Sequence, residues 1–242
     1  MRAALFFDLD GTLLDETALP GAVRGACEAV AAETGVRVER LVEANTATWE
    51  ELWPEVEDEW MLGPIDDEAV GARAWAGTLA RCGLRDPSLV ARAAAAYRDL
   101  EARAHRLYPE VPAVLQAAHD AGFRTGVLTN GASAVQRRKL AAVGLTDAFD
   151  PIVVSSEVGV RKPDAGIFEH ALVQAGAEPA RSWHVGDNPW VDVTGAARAG
   201  LRTVWVNRSG GARPGDGPAP DLEVRSLEGL VERLTARDQD PR

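Results

Sequence analysis

The sequence predicts an α/β fold in which helices cover a parallel sheet and an all-helical domain is inserted after the first strand. Three observations predict it. Short apolar runs recur along the chain, amphipathic segments that end in glycine lie between them, and one long stretch is rich in helix formers but has no strand pattern. Strands that alternate with helices indicate βαβ units, and these units form a parallel sheet.

The first strand is predicted over residues 3–7, a continuous apolar run that ends at Asp8 and is followed by a break at Gly11. A run of this length, bounded by a turn signal, is typical of a strand buried on both faces. Similar runs predict five further strands, over residues 123–129, 151–155, 182–186, 202–206 and 221–224.

Helices are predicted between these strands. Residues 111–121 carry Val111, Val114, Leu115 and Ala118 at helical spacing, and Gly122 then provides a stop signal. The same pattern predicts helices over residues 135–143, 167–175 and 192–199, each followed by a glycine.

Residues 15–107 interrupt the alternation. This stretch is rich in Ala, Glu, Arg and Leu, which favour helices, and it contains no convincing strand. It is too long for a loop. We therefore predict an inserted helical domain over residues 15–107 and an α/β core formed by residues 1–14 and 108–242. Pro54 is expected to end or kink the helix that contains it.

The charge and cysteine content exclude several classes of protein. The net charge of −11 disfavours general binding to nucleic acid or to a membrane surface. No apolar stretch has the roughly 18 residues that a membrane helix needs. Two cysteines are too few for a disulfide framework, so a cytoplasmic location is expected.

Polar side chains follow the predicted strands. Because the carboxyl ends of parallel strands share one edge of the sheet, these residues are expected to converge there. The first strand is followed by Asp8 and Asp10, the second by Thr129 and Asn130, the third by Lys162, and the fourth by Asp187 and Asp192.

Such a carboxylate cluster needs cations. Two unit charges 4 Å apart repel by roughly 4 kcal/mol at an effective dielectric of about 20. Lys162 supplies one positive charge, and a divalent metal would supply the rest. All-oxygen ligands favour Mg²⁺, which commonly also binds a substrate phosphate.

Four motifs in this order resemble those of the haloacid dehalogenase superfamily. They are DLDGT (residues 8–12), LTNG (128–131), VRKP (160–163) and GDNPWVD (186–192). The first has the form found in the phosphatases of that superfamily. The resemblance implies a Rossmann-like core and a helical cap, and a Mg²⁺-dependent phosphatase that hydrolyses a small phosphorylated metabolite through an aspartyl-phosphate.

The resemblance also implies roles for individual residues. Asp8 would be the nucleophile, and Asp10 would protonate the leaving oxygen and later activate water. Thr129 and the backbone N–H groups of Asn130 and Gly131 would bind the phosphoryl group, and Lys162 would hold that group beside Asp8.

The implied metal ligands are Asp8, the Asp10 carbonyl and Asp187. Asp192 would act as an outer ligand that orients Lys162 or a metal-bound water. Three other functions stay open: a phosphomutase, a 2-haloacid dehalogenase, which would lack the second Asp of the first motif, and a non-catalytic binding protein. The oligomeric state is also open.

Two features of the inserted helical domain allow more than one interpretation. Its four tryptophans, Trp49, Trp53, Trp60 and Trp75, form either the core of the cap or an aromatic wall for a planar leaving group. The acidic run over residues 55–59 is expected to be a solvated face. If it faces the cleft instead, it would favour a single phosphate on a neutral or cationic body.

Overall fold

A computed structural model describes residues 3–213, 215 and 217–239. A six-stranded parallel sheet in the order β5-β4-β1-β6-β7-β8 forms the centre of the fold, so the predicted α/β class is confirmed. Its strands are β1 (Ala4–Phe7), β4 (Arg124–Thr129), β5 (Ile152–Val154), β6 (Trp183–Gly186), β7 (Arg202–Val206) and β8 (Leu222–Val224).

Helices cover both faces of this sheet. The first strand is buried along its whole length because Leu5 and Phe7 pack into one apolar cluster and Ala4 and Phe6 into the other. Each buried phenylalanine contributes about 1.5–3 kcal/mol. The covering helices are α5 (Val111–Asp120), α6 (Ser133–Ala142), α7 (Ser155–Val158), α8 (Ala165–Ala175), α9 (Thr194–Arg198) and α10 (Leu230–Gln239).

The four glycines predicted to stop helices, Gly122, Gly144, Gly176 and Gly200, all have a positive φ. The predicted helix over 192–199 is the least regular, because a π-helical turn, Pro189–Val193, precedes α9. This turn contains Asp192.

Four helices lie within residues 15–107, the stretch predicted to be an inserted domain. They are α1 (Leu19–Thr34), α2 (Val38–Leu62), α3 (Asp67–Arg81) and α4 (Pro87–Ala104). Pro54 was expected to end or kink its helix. It does not end the helix, because α2 continues through it, and a kink at Pro54 stays a prediction. The division into a core and a cap stays a prediction, and "cap" below denotes residues 15–107.

A short ribbon was missed in the sequence. Where the chain leaves the core and returns to it, β2 (Leu14–Asp15) pairs antiparallel with β3 (Arg106–Leu107). Two-residue strands are too short to produce a hydrophobic alternation, so the sequence pattern could not predict them. Within the described residues, no helix combines the length and the apolar character that crossing a membrane requires.

Candidate active site

The sheet order brings the candidate residues together. Strand β1 lies between β4 and β6, so Asp8, Thr129 and Asp187 extend from the carboxyl ends of three neighbouring strands. The Asp8 N–H donates to the Val185 carbonyl at 2.9 Å, which continues the sheet pairing as far as Asp8. Strand order reverses at β1, and such a switch point is where open α/β sheets bind ligands.

A buried ammonium links two buried carboxylates. Lys162 Nζ donates to Asp8 Oδ1 at 2.6 Å and to Asp192 Oδ1 at 2.7 Å. Burial alone would lower the pKa of Lys162, but the adjacent Asp192 and Asp8 carboxylates raise it above its usual value. Burial raises the pKa of Asp8 well above its ordinary value, against the effect of Lys162.

Asp192 is held by three donors. Its Oδ1 also contacts His184 Nε2 at 2.9 Å, and its Oδ2 accepts from the Asn188 N–H at 3.0 Å. Burial acts to raise the pKa of Asp192, but Lys162 and His184 hold it below its usual value. His184 is a buried core residue whose Nε2 has a hydrogen-bond partner and whose Nδ1 has none among the described residues. Burial lowers the pKa of His184.

Three carboxylates form a group that could hold a metal ion. One oxygen from each of Asp8, Asp187 and Asp192 lies within 4.8 Å of the others. Burial, followed by the charge of Asp192, raises the pKa of Asp187 to about 6. The carboxylates approach two glycines closely: a Cβ at Gly11 would lie 2.5 Å from Asp187 Oδ2, and one at Gly186 would lie 2.2 Å from Asp192 Cγ.

The Asp10 side chain is hydrogen-bonded to two residues of α6, Gln136 and Lys139. Both of its oxygens accept from Lys139 Nζ, at 2.9 and 2.8 Å, and Oδ2 also accepts from Gln136 Nε2 at 3.0 Å. The Asp10 carboxylate is not part of the three-carboxylate group, so a metal role for Asp10 stays a prediction for its carbonyl. Sequence reasoning missed Gln136 and Lys139, although they lie one turn apart on the helix that follows the Thr129 strand.

The loop after β4 is fixed by hydrogen bonds. Thr129 Oγ1 accepts from Gln136 Nε2 at 2.7 Å. The Asn130 side chain pairs with the Lys162 main chain through two bonds, at 3.0 and 2.9 Å. The Gly131 N–H donates to Ser155 Oγ at 2.9 Å, so phosphoryl binding by that N–H would require this bond to break.

Two adjoining cavities separate the cap from α6. The first, of about 160 Å³, has an aromatic wall formed by Trp49, Trp60, Trp75 and Tyr97. The second, of about 240 Å³, shares Arg98, Glu101 and Arg138 with the first and extends to Lys139. The interpretation as cap core holds for Trp75, which is buried there, and Trp53 packs edge-on against Trp60. Contact between this aromatic wall and a planar leaving group stays a prediction.

Ion pairs join the cap to the core. Arg161 contacts Glu57 at 3.1 Å and Asp58 at 3.7 Å, and Arg138 contacts Asp67 at 2.6 Å. Glu57 and Asp58 pair with this core arginine while their side chains stay 41% and 87% exposed, so the run over 55–59 is a solvated face, as expected. The Ser155 hydroxyl donates to the Met61 carbonyl and so ties the Gly131 loop to α2.

Comparisons with known proteins agree with this arrangement. A haloacid dehalogenase-like hydrolase family model matches residues 3–200. The phosphoserine phosphatase of Thermus thermophilus is 36% identical over 92% of this chain and 95% of its own length. The glyceraldehyde 3-phosphate phosphatase of Methanopyrus kandleri is 32% identical over 97% of this chain and 99% of its own.

A solved structure agrees as well. A 2-haloacid dehalogenase from Pseudomonas syringae has a TM-score of 0.70 and 28% identity, covering 98% of this chain and 99% of that one. The family match and the near full-length relatives confirm the prediction of a hydrolase of this superfamily. On this evidence, the chain belongs to the haloacid dehalogenase-like hydrolase family.

Proposed function

We propose that this hydrolase is a Mg²⁺-dependent phosphatase that cleaves a small phosphorylated metabolite through an aspartyl-phosphate on Asp8. The observation that carries the proposal is the buried Asp8–Lys162 contact beside two further carboxylates, Asp187 and Asp192. Near full-length relatives that are phosphatases support the same conclusion.

Asp8 is assigned as the nucleophile. One Asp8 oxygen is occupied by Lys162, which fixes the carboxylate plane and leaves the second oxygen for attack on phosphorus. The Lys162 charge would lie beside an oxygen of a phosphoryl group held at Asp8, and preorganised charge of this kind stabilises phosphoryl transfer. Asp192 and His184 keep Lys162 in place.

The donor set fits Mg²⁺, because it consists of carboxylate oxygens without cysteine or histidine ligands. Asp8 and Asp187 would hold the ion, with the Asp10 carbonyl as the third ligand and Asp192 as a direct or outer one. Bound there, Mg²⁺ would supply positive charge to the phosphoryl oxygens.

Thr129 and Asp10 are assigned to the two sides of the transferring group. The Thr129 hydroxyl would donate to a phosphoryl oxygen. The Asp10 carboxyl would give its proton to the leaving oxygen and then take one from the attacking water. The same carboxyl argues against a 2-haloacid dehalogenase, whose chemistry does not need it. No described feature of the cap favours a phosphomutase.

The cavity with the aromatic wall, between the cap and α6, suggests what the non-phosphate part of the substrate is. Its aromatic wall and its paired charges, Arg138 with Asp67 and Arg98 with Glu68, suit an uncharged planar or apolar body that carries one phosphate. Nucleoside monophosphates, which have a planar body, are the first substrates to test, and phosphoserine and glyceraldehyde 3-phosphate, from the names of the relatives, complete the panel. Bisphosphates as the best substrates would contradict this assignment.

The central test uses p-nitrophenyl phosphate with Mg²⁺ or with EDTA. We expect chelation to abolish turnover, and Asp8→Asn to lower kcat by several orders of magnitude while the circular dichroism spectrum is unchanged. Acid-quenched protein should carry phosphate on Asp8. Normal turnover by Asp8→Asn, or metal-independent release of halide from 2-chloropropionate, would overturn the proposal.

A cytoplasmic location is proposed with the function. Both cysteines, Cys27 and Cys82, are free and buried, which suits a reducing compartment. The expected partner is the small phosphorylated substrate, with no nucleic acid and no membrane. Reactivity of both thiols in denatured protein isolated from the native cell would support this location.

A further inference from the structure

The Asp10 carboxyl is held by two side chains of one helix. Lys139 contacts both of its oxygens, and Gln136 contacts one of them. Gln136 is 2% exposed, and its amide also reaches Thr129 Oγ1 at 2.7 Å. Helix α6 therefore joins the proposed acid–base residue to the proposed phosphoryl-binding hydroxyl.

The identity of Lys139 is a second, independent observation. Of the 26 lysines and arginines in the chain, only Lys139 and Lys162 are lysines. Every other basic position uses arginine, including Arg137 and Arg138 on the same helix. Lysine carries a compact point charge, whereas arginine presents a planar fork. Both lysines thus lie against an aspartate of the first motif.

Packing of α6 does not account for these two residues. An inward-facing helix position is ordinarily apolar, and burial of an amide costs free energy unless it is hydrogen-bonded. Gln136 occupies such a position and directs its amide at Asp10 and Thr129. The neighbouring Arg137 and Arg138 contact Glu157 and Asp67 instead, and do not touch Asp10.

We propose that Lys139 and Gln136 are positioning residues that fix the Asp10 carboxylate, the form that remains once Asp10 has given its proton to the leaving oxygen. The inference rests on the proposed phosphatase function. Asp8 attacks phosphorus, the bond from phosphorus to the leaving oxygen breaks, and the proton of the Asp10 carboxyl moves to that oxygen. The resulting Asp10 carboxylate is held by the Lys139 and Gln136 hydrogen bonds, and it later accepts a proton from the hydrolytic water.

The test varies the leaving group. Phenyl phosphate needs a proton on its leaving oxygen, whereas p-nitrophenyl phosphate leaves as a stable anion. We expect Lys139→Met to lower kcat/KM for phenyl phosphate by about tenfold to hundredfold, the range for a hydrogen bond to a charged group, with a loss under about threefold for p-nitrophenyl phosphate. Gln136→Met should give the same selectivity to a smaller extent.

Two further variants make the result specific. Arg137→Met removes a charge from the same helix and should leave both esters unaffected. In an Asp10→Asn background, Lys139→Met should add less than about a twofold loss, because its effect acts through Asp10. If Lys139→Met does not fold, Lys139→Gln carries the same test, since it removes the charge but keeps a donor.

Equal losses on both esters, or additive losses with Asp10→Asn, would overturn the inference while the phosphatase function stands. A wild-type protein inactive on both esters and on the metabolite panel would overturn the proposed function, and this inference with it.

Discussion

Replacement of Lys162 by methionine tests whether the site carries the charges that the structure assigns to it. The side chain is 2% exposed and contacts Asp8 at 2.6 Å and Asp192 at 2.7 Å. Methionine preserves most of the volume but removes the ammonium. Two buried carboxylates would then face each other without a cation, so the variant should lose stability as well as activity.

The size of the loss follows from the contacts. The Coulomb attraction between Lys162 and each of its two carboxylate partners is worth about 6 kcal/mol at an effective dielectric of about 20. Desolvation of the buried ammonium offsets much of this sum. Removal of one partner of a buried pair therefore costs about 3–5 kcal/mol. For a chain of this size, that corresponds to a fall in Tm of about 6–20 °C.

The assay is thermal unfolding of the metal-free protein at pH 8 and at pH 5. Without Lys162 the folded-state pKa values of Asp8 and Asp192 rise, so the folded variant binds protons that the unfolded chain does not. The difference between wild type and variant should therefore shrink at pH 5. Mg²⁺ should restore part of the stability at pH 8.

Arg161→Met is the matched control, because its ion pairs with Glu57 and Asp58 are partly exposed and worth about 1 kcal/mol or less. An unchanged Tm for Lys162→Met at pH 8, or a loss that grows toward pH 5, would refute this reasoning.

Further predictions concern the carboxylate group and the cleft. Asp187→Asn should stabilise the metal-free protein by about 1–2 kcal/mol at pH 7.5, a value discounted for partial exposure, because burial raises the pKa of Asp187 to about 6. A raised folded-state pKa destabilises only above the unfolded value, so the gain should fade toward pH 4; a gain that is larger at pH 4 would contradict it. Stabilisation of the wild-type protein by Mg²⁺ should rise between pH 5 and pH 7, and be absent in Asp187→Asn; calorimetry that finds no pH dependence would count against Asp187 as a ligand. Gly186→Ala should cost about 1–3 kcal/mol because the added Cβ would lie 2.2 Å from Asp192 Cγ, and an unchanged Tm would show that Asp192 can move freely. Trp60→Ala should raise KM for aryl phosphates more than it lowers kcat, and equal effects on both would remove Trp60 from the cleft wall.

The sequence by itself determined the fold class and the edge of the sheet that carries the chemistry. Apolar runs such as the one before Asp8 have the length and composition of strands buried on both faces, and chain order then dictates which residues follow them. The helix ends at Gly122 and Gly176 could also be predicted from the sequence, because a position with a positive φ favours glycine. Strand burial and helix ends depend on residues close together in the chain, so the order of residues in the sequence is enough to predict them.

Only the tertiary structure decided which side chains meet. The strand order brings Asp8 beside Asp187, and the Lys162 loop then reaches both Asp8 and Asp192 across a large separation in the chain. The contacts of Asp10 with Gln136 and Lys139 had no signal in the pattern, because a polar residue on a helix has the same local appearance whether it faces water or a carboxylate. Non-local contacts of this kind depend on how helices pack on the sheet, and that packing determines which charges are buried together.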